Sequence, residues 1–241
     1  MQQRASNGEE HLVRIRAGRV ALDGNLRIPE AARGVVVFAH GSGSGRFSPR
    51  NRFVADVLEQ AGLATLLMDL LTPGEEAVDE LTRHHRFDIG LLAERLVAAS
   101  DWVRKQPDTQ HLPIGYFGAS TGAGAALVAA AERPDLVKAI VSRGGRPDLA
   151  GPALPLVQAP TLLIVGGRDE VVIELNRHAF NQLRCEKRLE VVPGATHLFE
   201  EPGTLQEVAR LARDWFVRFL VPTETTGQAA LAGGTQAHRN E

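Results

Sequence analysis

Ile114-Gly115-Tyr116-Phe117-Gly118-Ala119-Ser120-Thr121-Gly122, running on into Ala123 to Ala131, decides the reading of this chain. An apolar-rich stretch, a Gly-x-Ser-x-Gly turn and a small-residue helix follow one another without a gap. Strand, sharp turn, helix is the context that makes a common pentapeptide a nucleophile elbow. The turn holds the serine in a strained backbone conformation, and the flanking glycines let strand and helix approach closely. The pentapeptide alone is weak evidence, because Gly, Ala and Ser are common in this chain. Its position and partners carry the weight.

Working outward, the same alternation recurs. Val35 to Ala39, Ala64 to Met68, Ala139 to Val141 and Leu162 to Val165 are continuous apolar runs, as strands buried on both faces should be. Leu189 to Val192 reads as the last strand. Between them, Arg52 to Gln60, Phe87 to Val103 and Leu205 to Phe219 carry apolar residues at helical spacing. This order predicts an α/β fold with a mainly parallel central sheet and helices on both faces. Leu12 to Ile15 and Arg19 to Ile28, broken at Arg16-Ala17-Gly18, predict an antiparallel hairpin at the edge. Residues 11–221 are expected to form one domain, with a flexible start (1–10) and a disordered tail (222–241). Leu71 to Arg86 is polar and reads as a loop, with two alternatives for it, a flexible flap over the site and, favoured over that, a solvated helix start.

In such sheets reactive groups sit on loops beyond the carboxyl ends of strands. Gly166-Gly167-Arg168-Asp169 follows one strand and Pro193-Gly194-Ala195-Thr196-His197 another. The chain order is therefore Ser120, Asp169, His197. A serine hydroxyl needs a base at neutral pH. His197 would supply it, and Asp169 would fix the imidazole tautomer. Asp169 also stands where a helix cap is common, with Glu170 as the other acidic candidate, and His197 also fits an ordinary surface loop. His40-Gly41-Ser42-Gly43-Ser44-Gly45 follows the strand ending at Ala39. Its glycines let backbone N–H groups face a developing oxyanion. The amide of Thr121 and that of Ser42, or else Gly43, are the expected donors, and Gly41 and Gly43 are further candidates for substrate contact. A phosphate-cradling loop does not fit, because no Gly-Lys-Ser/Thr follows and position 46 is Arg46 where Gly-x-Gly-x-x-Gly needs glycine.

The motifs at 40–44, 118–122, 166–169 and 194–197 together resemble the α/β-hydrolase superfamily, in particular its small dienelactone hydrolase-like branch. The resemblance covers about residues 10 to 220, and Phe47-Ser48-Pro49-Arg50-Asn51-Arg52 also looks like that of bacterial hydrolases of this branch. It implies a Ser120–Asp169–His197 triad and an acyl-enzyme route. One departure stands out. Dienelactone hydrolases use a cysteine nucleophile, whereas this chain has Ser120, and its single cysteine, Cys185, lies far from the elbow. Serine suits ordinary carboxylic esters.

Only 18 residues separate the strand ending near Ser142 from that starting at Thr161, too few for a cap domain. An open site favours small or short-acyl esters or lactones. Arg143 and Arg146 are candidates for binding a substrate carboxylate, or for pairing with Asp148 or Asp169-Glu170. Thioesters, acyl transfer and phosphotriesters remain chemically open to the same residues, as does a non-catalytic ligand-binding role. No cofactor or metal is expected, since His84-His85 near Asp88 matches no ligand pattern. A net charge of −2 argues against nucleic acid or an acidic membrane surface as partner. The polar N-terminus and the lack of a long apolar run give cytoplasmic as the expectation, and the oligomeric state stays open.

Overall fold

A computed structural model describes residues 8–221. The tail expected over 222–241, and residues 1–7 of the expected flexible start, lie outside them. The eight strands are β1 (Glu10–Ala17), β2 (Val20–Arg27), β3 (Val35–Ala39), β4 (Ala64–Met68), β5 (Ile114–Ala119), β6 (Val137–Arg143), β7 (Thr161–Gly166) and β8 (Lys187–Val192). They form one sheet in the order β1-β2-β4-β3-β5-β6-β7-β8. The hairpin β1-β2 joins antiparallel to β4, and every later pairing is parallel.

The apolar runs sit centrally because helices cover both faces. Along β3, Val36 and Phe38 point into one core with α1 (Pro49–Gln60) and α6 (Thr204–Leu220). Val35, Val37 and Ala39 point into the other, with α3 (Ile89–Val103) and α4 (Thr121–Glu132). That is the two-residue alternation of a strand expressed across two layers. α4 is built almost wholly from small residues and is buried along most of its length. It can therefore lie tight against β5. A methyl group on Gly118 would come within 2.5 Å of Ala123 Cα, and one on Gly122 within 2.3 Å of the Ala39 carbonyl oxygen. Only glycine fits at either position.

Residues 71–86, expected as a loop, hold a helix, α2 (Pro73–Thr82). The signal was present as Thr72-Pro73-Gly74-Glu75. Thr72 accepts from the Glu75 N–H at 3.2 Å and Glu75 accepts from the Thr72 N–H at 2.7 Å, a reciprocal capping box with proline in the first turn. Asp79, buried on α2, anchors the chain leaving the helix by accepting from the Arg86 backbone at 2.9 Å and side chain at 2.5 Å. Between β6 and β7 runs only a 3-10 segment, Pro147–Leu156, broken at Gly151, so that connection inserts no cap domain. α5 (Glu170–Gln182) links β7 to β8. Among the described residues no helix is long and apolar enough to cross a membrane.

Candidate active site

Ser120 is the single residue between β5 and α4, with φ 50° and ψ −123°. For a residue with a Cβ this conformation costs about 1–3 kcal/mol, and it persists only where surrounding bonds over-determine it. Here they do. The Ser120 N–H donates to the Arg143 carbonyl at 3.3 Å, and its own carbonyl accepts from Ala123 at 3.1 Å and Arg146 at 3.0 Å. The side chain stands half-buried at the carboxyl end of the sheet.

Asp169 occupies the N-cap position of α5, the alternative role raised by its sequence context. Yet its side chain makes no capping bond. It turns instead to His197, whose Nδ1–H donates to Asp169 Oδ2 at 2.6 Å. That bond leaves Nε2 as the basic nitrogen. Glu170 is exposed in the first turn of α5. The two loops are joined by their backbones, Arg168 N–H to Ala195 O at 2.9 Å and Gly167 N–H to Val192 O at 2.8 Å. Phe199, two residues beyond His197, is buried with φ 55° and pins the return of the loop into the α6 core. Glu201 accepts from the Thr196 N–H at 3.0 Å, and that bond holds its carboxyl below the usual range.

His197 and Ser120 converge on the end of β6. Ser120 is bonded to Arg143, and the next residue, Gly144, lies so close to His197 that a methyl there would be 3.1 Å from its carbonyl oxygen and 3.5 Å from ring Cε1. On the other side Gly41 abuts Ser120, where an added Cβ would lie only 3.0 Å from Ser120 Cβ. Ser42 Oγ and Thr121 Oγ1 are 3.1 Å apart, which fixes the glycine loop against the first residue of α4. Gly43 (φ 66°) is exposed at the crest of the turn closed by Ser44 N–H to Gly41 O at 3.2 Å. The N–H of Thr121 belongs to a first helical turn, where amides lack intrahelical partners and the dipole favours negative charge.

Two supports of this loop were not singled out from sequence. His40 is buried, donates from Nδ1 to Gly41 O at 2.9 Å and accepts the Leu70 N–H on Nε2 at 2.9 Å. Both nitrogens are used by the neutral ring, and burial pushes its pKa down. It is a strut. Asp69, at the end of β4, accepts the Arg46 N–H at 2.8 Å and also pairs with the Arg46 guanidinium. An acidic residue directly after a buried apolar strand was the available signal for Asp69.

The two arginines part company. Arg146 makes a two-pronged pair with Asp148 at 2.8 and 2.7 Å, the loop-supporting alternative. Arg143 is buried and meets only Asn51 Oδ1, at 3.4 Å. Among the described residues no group of three or more His, Cys, Asp or Glu could hold a metal ion.

The family model for the dienelactone hydrolase family matches residues 22–220. A crystal structure of a dienelactone hydrolase from Anabaena variabilis shares 65% identity and a TM-score of 0.87, covering 89% of this chain and all of that one. A lidless α/β serine hydrolase from Xanthomonas campestris shares the fold at 20% identity and TM-score 0.72, covering 92% of this chain and all of that one. A Mycobacterium tuberculosis protein with a provisional phosphoribosyl transferase name is 62% identical over 208 residues, which is 86% of this chain. The match spans 46% of that relative, so this chain is about half its length.

Proposed function

This chain belongs to the dienelactone hydrolase family, and from that premise we propose that it is a serine hydrolase of small carboxylic esters or lactones. Ser120 Oγ attacks the carbonyl while His197 Nε2 takes its proton. Asp169 holds the imidazole in the required tautomer and stabilises the imidazolium. The N–H groups of Thr121 and Ser42 receive the developing oxyanion. The alcohol leaves with the proton from His197, and water, activated by the same base, releases the acid from the acyl-serine.

The observation that carries this reading is the Asp169–His197 bond. A carboxylate at an N-cap position has a ready local partner in the helix N–H groups. Here it forgoes them for a histidine 28 residues away. The 3-10 segment in place of a cap supports short acyl chains, since long ones need an enclosing apolar channel.

The test is reaction with a fluorophosphonate, read by intact mass and peptide mapping. One adduct on Ser120, absent in Ser120→Ala and in His197→Ala, is expected. An unlabelled, folded wild-type protein would sink the assignment.

A further inference from the structure

We infer that the cleft between α1 and the β1-β2-β4 end of the sheet is a second ligand site. It takes a small zwitterion, a molecule carrying both a carboxylate and an ammonium group, as a free α-amino acid does. This site stands independently of the hydrolase reading.

Two periodicities meet to make it. Asn25 and Arg27 lie two residues apart on β2 and so share one face of the sheet. In the row across the sheet, Glu10 of β1 and Thr65 of β4 flank Arg27. Arg52, Asp56 and Glu59 share one face of α1. Ala55, small and buried, stands among them, and a cleft of about 200 Å³ is left between helix and strands. Pockets for drug-sized ligands begin at about 300 Å³, so the occupant here is smaller. The cleft lies apart from Ser120. Thr65 is near the amino end of β4, and β3 separates β4 from β5, whose carboxyl end carries Ser120.

The lining is a charged network with capacity to spare. Arg27 donates to Glu59 at 2.7 Å and to Asp56 at 3.3 Å. Arg52 donates to the two oxygens of Glu10 at 2.7 and 3.1 Å. The fully buried Thr65 hydroxyl donates to the other Glu59 oxygen. Asn25 is only 4% exposed, which puts its amide in the floor of the cleft. Its Nδ2 donates to Glu10 at 2.5 Å, and that bond fixes which end of the amide is oxygen. Oδ1 is left buried without a partner, as are Nε of Arg27 and Nε of Arg52. The cleft therefore holds two unused N–H donors and one unused acceptor. Buried polar groups are rarely left in that state.

That set of groups selects its ligand. Glu10, Asp56 and Glu59 repel a simple anion. The two guanidiniums repel a metal dication, and among the described residues no group of three or more His, Cys, Asp or Glu could hold one. An apolar molecule would strand the polar lining. A zwitterion meets each demand. Its carboxylate accepts from Arg27 and Arg52, and its ammonium donates to Asn25 Oδ1. The excess of carboxylates over guanidiniums in the lining favours the cationic end.

The experiment is titration calorimetry of the whole protein with L-alanine and two half-analogues. L-alaninamide lacks the carboxylate, and N-acetyl-L-alanine lacks the ammonium. We expect L-alanine to saturate with a Kd of about 1 mM or tighter, and each half-analogue to bind at least about tenfold more weakly. Arg52→Met and Arg27→Met, both at partly exposed positions, should each weaken L-alanine by about 10- to 100-fold, as loss of a charge-assisted bond does. Neither should change the weaker binding of L-alaninamide. A variant that merely loosens the cleft would weaken both ligands alike, and that result overturns the assignment. Ser120→Ala should bind as wild type does; loss of binding there would move the ligand to Ser120 and overturn the second site. Should one arginine variant fail to fold, the other and the wild-type comparison decide. No saturation by L-alanine up to about 20 mM, or equal binding of all three compounds, overturns the site.

Discussion

Replacing Asp169 with Asn tests the candidate triad at its most informative joint. In the structure Asp169 Oδ2 accepts from His197 Nδ1 at 2.6 Å, with the carboxylate 17% and the imidazole 39% exposed. A hydrogen bond to a charged group contributes about 1.5–3 kcal/mol, which alone is worth about 10- to 150-fold. The amide does further harm, because its NH2 can donate to Nδ1 and place the ring proton on Nε2. That tautomer cannot take a proton from Ser120. Together the two effects predict a fall in kcat of about 10³–10⁴. KM for a short-chain aryl ester should change little, since the carboxylate does not touch substrate. The fold should survive: Asp169 makes no capping bond to α5, so the loss in stability should stay within the about 1.5–3 kcal/mol of the charged bond. The assay is initial rate against ester concentration, with thermal unfolding alongside and Glu170→Gln as control. Asp169→Asn retaining more than a tenth of wild-type kcat would refute the reasoning. So would an equal loss in Glu170→Gln, which would move the role to the neighbouring carboxylate.

Two further outcomes rest on the geometry. Ser120→Gly should raise the melting temperature while abolishing fluorophosphonate labelling, because glycine relieves backbone strain of about 1–3 kcal/mol at φ 50°; an unchanged or lower melting temperature counts against stored strain. His40 is a base whose folded pKa lies below its ordinary 6.5, so the unfolded chain binds the extra proton first as pH falls. Its contribution is therefore complete above pH 6.5 and declines towards the lowered folded value. Melting temperature should drop over that acidic window in wild type and drop less steeply in His40→Gln; parallel curves would show that His40 does not carry the dependence.

Much of the architecture was legible because burial on both faces leaves a plain mark. Val35 to Ala39 and Leu162 to Val165 are apolar throughout because both faces of those strands are covered, and both lie in the sheet as read. The extent of α2 was not read, beyond a solvated helix start, because Leu71 to Arg86 is polar overall. Its apolar side chains mark no buried face: Val78 and Leu81 are left exposed, and the buried residue of the helix is Asp79. What marked it was capping chemistry at Thr72 and Glu75 rather than periodicity.

The chain alone determined the elbow, the order Ser120, Asp169, His197 and the absence of room for a cap, since these depend on residues close together or on loop length. It could not decide between equal local options. Asp169 as helix cap or as partner of His197, and Arg143 and Arg146 as paired or free, look alike in sequence. The local partner won for Arg146, where Asp148 lies two residues away. It lost for Asp169, where β7 and β8, pairing side by side, bring His197 within 2.6 Å across 28 residues. Arg143 is left unpaired because the strand that buries it brings Asn51, not an acid, from 92 residues away. Those outcomes belong to the tertiary structure: a side chain takes the partner its fold delivers at bonding distance, and sequence separation carries no record of that distance.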